Sequence, residues 1–417
     1  FNTMDPNTIE NISFLKDASS AAIYRAKAAY GVVLVTTKAA KAGVMQISYD
    51  GSTGVQMPTY LPKVVNSAEY AEMYRTAERN SGVLENNLTF NDEMIRKYRD
   101  GSDPDYYPNT NWFDLIVRKQ SFITKHNIQF SGGIEKFKYL LSGGFLREEG
   151  ISRGSATDRY NLTSKTSSEI KNWLTLTSNI NFIYTKYDNT RGGLNLVESL
   201  RVPPTQVAKH SNGEWGTIRN GKQATSEQIN ANPYRSWAEN GRSNSTSRTL
   251  LGSIAAEIRP FEKVKVTNQF AYSYYDYRGF SFANRKKGVP SFINPSLGVI
   301  PGTASTNNQM DMDWYYSDKF IYDGWLNYDQ TFNKLHAVTL MLGTHADVYS
   351  SRRITIGRKN FASNDMNDFS EGSVKDVDQV VTDSKKNVNY YEEESIGSFF
   401  GRVGYTYDQK YLFEANF

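Results

Sequence analysis

The 417 residues carry a formal net charge of only +4, are 39% hydrophobic and contain no cysteine. This excludes disulfides and thiolate metal sites within the chain. No lysine/arginine block marks a nucleic-acid partner. No apolar run approaches the roughly 20 residues of a membrane-crossing helix, so a membrane role requires strands.

The chain opens on Phe1-Asn2-Thr3-Met4-Asp5-Pro6, which lacks the basic start and apolar core of a secretory leader. Ile12–Leu15 is a short apolar run. Asp17 and Ser19 are helix-starting residues, because their side-chain oxygens accept from the free amides of a first turn. Ala18–Ala29 is small and alanine-rich, and Gly31 permits the reversal that ends it. Val32–Thr37 is β-branched except for Leu34, which suits a strand. The order is strand, short helix, glycine turn, strand. A compact α/β knob of this kind ahead of a barrel reads as a plug.

From Val44 the pattern changes to a period of two. Met45, Ile47, Tyr49, Val55 and Met57 alternate with Gln46, Ser48, Asp50, Ser52 and Gln56, giving one face for lipid and one for water. Residues 58–122 form a long excursion with two helices, one begun at Asn66 or Ser67 and one at Asn91, the second ended by Gly101. Strands are then expected over 126–132, 136–147, 159–169 and 174–185. Leu140, Leu146 and Ile183 are apolar residues out of phase. Further strands are expected over 249–258, 264–275, 313–332, 336–348, 395–407 and 411–417. Long loops over 186–247, 276–312 and 349–394 separate them, and 148–157 is a shorter one. About ten strands result, joined by five short turns alternating with five loops. Outer-membrane barrels have that asymmetry, with short periplasmic turns and long outward loops. Tyrosine excess, at 28 residues, fits the interfacial girdles of such a wall.

Several motifs resemble one family. Leu15-Lys16-Asp17-Ala18-Ser19, Ile23-Tyr24, Ala29-x-Gly31-Val32-Val33 and Thr36-Thr37-Lys38 are similar to the end of the plug domain of SusC/RagA TonB-dependent outer-membrane transporters. Arg25, Lys27 and Tyr30 depart from that pattern. The Tyr107-Pro-Asn-Thr-x-Trp112 segment, FNKLHAVTLMLG and SFFGRVGYTYDQKYLFEANF extend the likeness. The resemblance implies an antiparallel transmembrane β-barrel, present in part, with residues 1–43 as the end of the plug and 44–417 as the first part of the barrel. The chain is therefore expected to be an internal piece of a longer protein. The resemblance also implies TonB-driven import of oligosaccharides or peptides. Its partners would be TonB, a SusD-like surface lipoprotein and outer-membrane lipid, with two transporter–lipoprotein pairs joining as a dimer. Lys16, Asp17, Tyr24 and Gly31 are read as structural plug residues.

No cofactor motif and no enzyme constellation stand out. Asp103, Asp105, Asp311, Asp313 and the Glu392–Glu394 run lack calcium-loop spacing. His345 and Asp347 share one strand face, and a small closed barrel acting as a surface protease or adhesin is the alternative reading. Loop aromatics Trp112, Trp215, Tyr234 and Trp237 are the candidates for stacking on cargo.

Overall fold

The computed structural model describes residues 8–16, 31–39, 41–191, 196–221, 227, 232–373, 377–378 and 390–417. Near the start, β1 (Ile9–Leu15) pairs antiparallel with β2 (Val32–Thr37). Gly31, the residue entering β2, has φ +92°, and a Cβ there would sit 3.1 Å from the Leu15 carbonyl oxygen. Both facts demand glycine. Lys16 is exposed. The helix expected over 18–29, with Asp17 and Tyr24, lies outside the described residues.

The rest of the strands form one twelve-stranded antiparallel sheet. Its members are β3 (Gly43–Gln56), β4 (Ser121–Ile134), β5 (Phe137–Glu149), β6 (Ala156–Lys171), β7 (Leu174–Thr190), β8 (Gly241–Phe261), β9 (Val264–Ala283), β10 (Gln309–Phe332), β11 (His336–Lys359), β12 (Val377–Asp378), β13 (Tyr390–Tyr407) and β14 (Tyr411–Asn416). Each pairs with its chain neighbours, except that the two-residue β12 hangs on β11 and β13 pairs with β11 directly. Setting β12 aside, the path has eleven strands, one for each range expected from the pattern, so the tally of ten was one short. Ten connections do join them, five short and five long. The path ends at β3 and β14 among the described residues. No described helix is long and apolar enough to cross a membrane.

One face of this sheet is apolar and exposed. Leu162, Ile180, Ile254, Phe270 and Phe320 lie on it, with Phe270 61% accessible. The other face is polar and covered: Asn127, Ser142, Thr163, Lys165, Thr267 and His345 are all buried. Leu140 and Ile183, two of the residues that break the alternation, are buried on this inner face, at 2% and 5% exposure. They are inward apolar contacts, so the strand register is unbroken there. Lys165 donates to the Thr37 hydroxyl and to the Lys38 carbonyl at 2.6 Å, tying the β1–β2 pair to the inner face.

The strands outrun their sequence limits on the loop side. β8 begins at Gly241 rather than Thr249, β9 runs to Ala283 rather than Tyr275, and β11 runs to Lys359 rather than Val348. The β9 and β11 ends carry apolar residues, among them Phe280, Phe282 and Ile356, but the β8 residues Arg242-Ser-Asn-Ser-Thr-Ser-Arg248 are polar on both faces. Lacking an apolar stripe they read as loop, yet ladder hydrogen bonds to neighbouring strands hold them extended. At the opposite end the turns are tight. Asn333, Lys334, Asp408 and Gln409 take positive φ between 47° and 61°, the left-handed conformation that hairpin turns use and that Asn and Asp tolerate.

The clusters of buried hydrophobic residues lie on the loop side. Helices α1 (Ser67–Asn80) and α2 (Asp92–Asp100) enclose Ala71, Phe90, Met94, Ile95, Tyr98 and Tyr107. Asn66 and Glu69 cap α1 reciprocally, and Asn91 caps α2 by accepting from the Met94 amide. A second cluster holds Phe113, Ile116 and Val117 around α3 (Trp112–Ile116). The third joins Phe282, Met310 and Phe361 from the ends of β9 and β10 and the loop after β11. The outward excursions thus form packed caps with their own cores rather than loose connections.

Candidate functional site

The long connections meet over the inner face. Asp105 from the first loop, His210, Thr217 and Glu227 from the loop after β7, and Ser291 and Phe292 from the loop after β9 form one buried network. The Thr217 amide donates to His210 Nε2 at 3.1 Å, so that nitrogen is an acceptor and Nδ1 carries the proton. Nδ1 then donates to Asp105 Oδ1 at 3.2 Å. Burial pushes the His210 imidazole below its ordinary value, against the opposing pull of Asp105. The ring stacks flat on Phe292, with centroids 3.8 Å apart at 3°. Burial disfavours the charge on Asp105, but donation from Ser211 and His210 outweighs it and holds the carboxyl below its usual range. Glu227 behaves likewise. It accepts from Thr217 at 2.5 Å, from the Phe292 amide at 2.6 Å and from Ser291, and despite burial its carboxyl is held low.

Beside this staple, helix α5 (Pro233–Glu239), which follows the short α4 (Leu196–Leu200) in the chain, divides two surfaces. Asn232 caps it through the Arg235 amide, and Pro233 opens it. On one side Tyr234 lies parallel to Trp237, with centroids 5.7 Å apart at 7°, and edge-on to Trp215 at 5.6 Å. Lys209 sits 4.4 Å above the Trp215 ring. Indole donors fix the trio: Trp215 Nε1 to Glu239 at 2.6 Å and Trp237 Nε1 to the Arg153 carbonyl at 2.8 Å. All three rings are half-buried. Three of the four expected aromatics therefore come together. Trp112 does not join them. It is 5% exposed, donates to the Pro203 carbonyl and borders a separate cavity of about 290 Å³.

On the other side of α5 is a polar cavity of about 790 Å³, whose lining includes Arg191, Asn232, Arg235, Asn284, Lys286 and Glu227. Arg235, itself buried, donates to Glu239 at 2.8 Å and to the Lys287 and Thr303 carbonyls. Arg191 reaches Asp311 at 3.2 Å. Lys286 donates to Asn240 Oδ1. Burial, then the neighbouring Arg235, depress its ammonium below the usual lysine range. Sequence reading missed this cavity. Its cations are scattered over 95 residues and no spacing joins them; only the fold brings 191, 235 and 286 together.

His345 and Asp347 face the inside of the wall. His345 Nδ1 lies 2.7 Å from Asp323 and Nε2 lies 3.3 Å from Asp347, which also pairs with Lys319 at 2.8 Å. Carboxylates occupy both ring nitrogens, so neither lone pair is presented to a water as a protease base requires. The arrangement is a cross-strand ion cluster on β10 and β11.

No family model matches the sequence. Among curated proteins, two TonB-dependent receptors of Formosa agariphila are 26% and 24% identical over 415 and 420 residues, covering 99% of this chain and 38% and 36% of those proteins. TonB-dependent receptor SusC of Bacteroides thetaiotaomicron is 28% identical over 158 residues, 38% of this chain and 14% of that protein. A solved structure of the RagAB peptide transporter superposes with a TM-score of 0.75 at 21% identity, covering 99% of this chain and 46% of that one. The chain thus spans less than half the length of these relatives. Over nearly its whole length the chain is similar in sequence to TonB-dependent receptors, and in fold to the transporter of the RagAB structure.

Proposed function

We propose that this chain is the plug end and first wall segment of a transporter that imports oligosaccharides or peptides across the bacterial outer membrane. Residues 1–43 are assigned to the plug and 44–417 to the barrel. The observation that carries the reading is the two-sidedness of the wall: tight turns at one end, packed caps around a polar cavity at the other, and an apolar outer face between them. Lys165 holding the Thr37–Lys38 segment against the inner face supports the plug assignment. In this reading the caps face the outside of the cell, where a SusD-like lipoprotein closes over them, and two such pairs associate. TonB acts through residues elsewhere in the protein and supplies the energy by displacing the plug. The protein performs no chemistry on its cargo. Trp215, Tyr234 and Trp237 serve as a ring platform for sugar faces or peptide side chains, whose stacking tolerates sequence variety.

Deleting the full-length protein from its native bacterium tests this. Uptake of a labelled oligosaccharide or peptide pool should fall to background. Collapsing the proton gradient in the parent strain should have the same effect. Uptake that persists without a proton gradient would contradict the proposal.

A further inference from the structure

We propose that the cavity beside α5 seats a carboxylate of the cargo, with Lys286 and Arg191 pairing the charge and Asn284 accepting from a hydroxyl or N–H next to it. This rests on the import reading above. The cavity brings three cationic side chains, Arg191, Arg235 and Lys286, into one lining. Arg235 is spent on Glu239 and two carbonyls, and Arg191 shares Asp311. Lys286 differs: it donates to the neutral Asn240 oxygen, and no carboxylate lies within ion-pair distance of it among the described residues. The Glu227 carboxylate on the same lining is already taken by two hydroxyls and two backbone amides, so it is not free to neutralise Lys286.

Glu239 acts on Lys286 only from beyond ion-pair distance and is itself bonded to Arg235 and Trp215, so the half-buried ammonium lacks a direct counter-ion, an unfavourable arrangement that a bound carboxylate relieves. Arg191 donates from Nε to Ser281 and from Nη2 to Asp311, which leaves Nη1 and the second Nη2 proton for carboxylate oxygens. In the same wall, Asn284 Oδ1 is buried and lacks a hydrogen-bond partner. An acceptor of that kind is satisfied by a ligand donor. The matching ligand is therefore a carboxylate with a donor beside it. An acidic sugar supplies this with its ring hydroxyls, and an acidic peptide with its amide N–H.

Equilibrium binding to the full-length protein in detergent tests the proposal with two matched pairs: a trimer of galacturonate against neutral galactotriose, and a glutamate-rich tripeptide against its glutamine counterpart. In at least one pair the acidic member should bind ten- to a hundredfold more tightly, the worth of a charged hydrogen bond. Lys286→Gln should remove that gap, and Lys286→Arg should keep most of it with unchanged heat-modifiable gel migration. A gap confined to the sugars assigns an acidic glycan, and one confined to the peptides an acidic peptide. Equal binding within both pairs overturns the proposal, as does a gap that survives in Lys286→Gln combined with Arg191→Gln. Binding in detergent needs neither TonB nor a proton gradient, so a flat result here leaves the import reading intact.

Discussion

At the residue scale, His210 makes the cap sensitive to acid. Its folded value lies below the ordinary imidazole value, so the unfolded chain takes up the proton first as pH falls. Its contribution is then complete above about pH 6.5 and shrinks as pH drops toward the folded value. Asp105, held low, loses its contribution in the same direction but further into acid, below about pH 4. Hydrogen exchange at the Ser211 and Thr217 amides, corrected for intrinsic rate, should show protection falling in two steps on acidification. His210→Phe should abolish the first step and keep the second. A single step unchanged by that substitution would refute the assignment. None of this network was legible beforehand, since directly bonded partners lie up to 106 residues apart and no sequence period joins them. Gly31 was legible, because only a glycine among apolar residues marks a forced reversal.

At the element scale, strand identity came through wherever one face was apolar. The faces of β3, β6, β7 and β9 follow the period of two that their sequences show. What stayed hidden was strand length, most clearly in β8, whose outer end is held by ladder bonds with no apolar stripe to mark it. The capped helices α1 and α2 were legible for the opposite reason: Asn66, Asn91 and Gly101 act locally. Their packing makes a further prediction. Phe90 is fully buried and edge-on to Tyr74 and Tyr98. Phe90→Ala should cost about 3–5 kcal/mol within that cap. Proteolysis and exchange should rise across α1–α2 alone, while the wall keeps its heat-resistant form on gels. Loss of that form would mean that the cap and the wall fold as one unit.

At the scale of the whole molecule, topology follows from the alternation of connection lengths, a global feature that depends little on any single residue. The candidate aromatics show the limit. The sequence placed them in loops, but only the fold separates the half-buried trio at α5, to which Trp215 comes from outside the helix, from the buried Trp112. The cation-lined cavity needed two long loops, after β7 and after β9, to converge and was out of reach. Site-directed labelling tests the two-sided wall most directly, because these residues contain no native cysteine. Ser296→Cys in the loop after β9 and Glu262→Cys in the turn before β9 are both exposed positions. On intact cells a membrane-impermeant maleimide should label the first and spare the second until the outer membrane is permeabilised. Equal labelling of both on intact cells, or labelling of Glu262→Cys alone, would contradict the account.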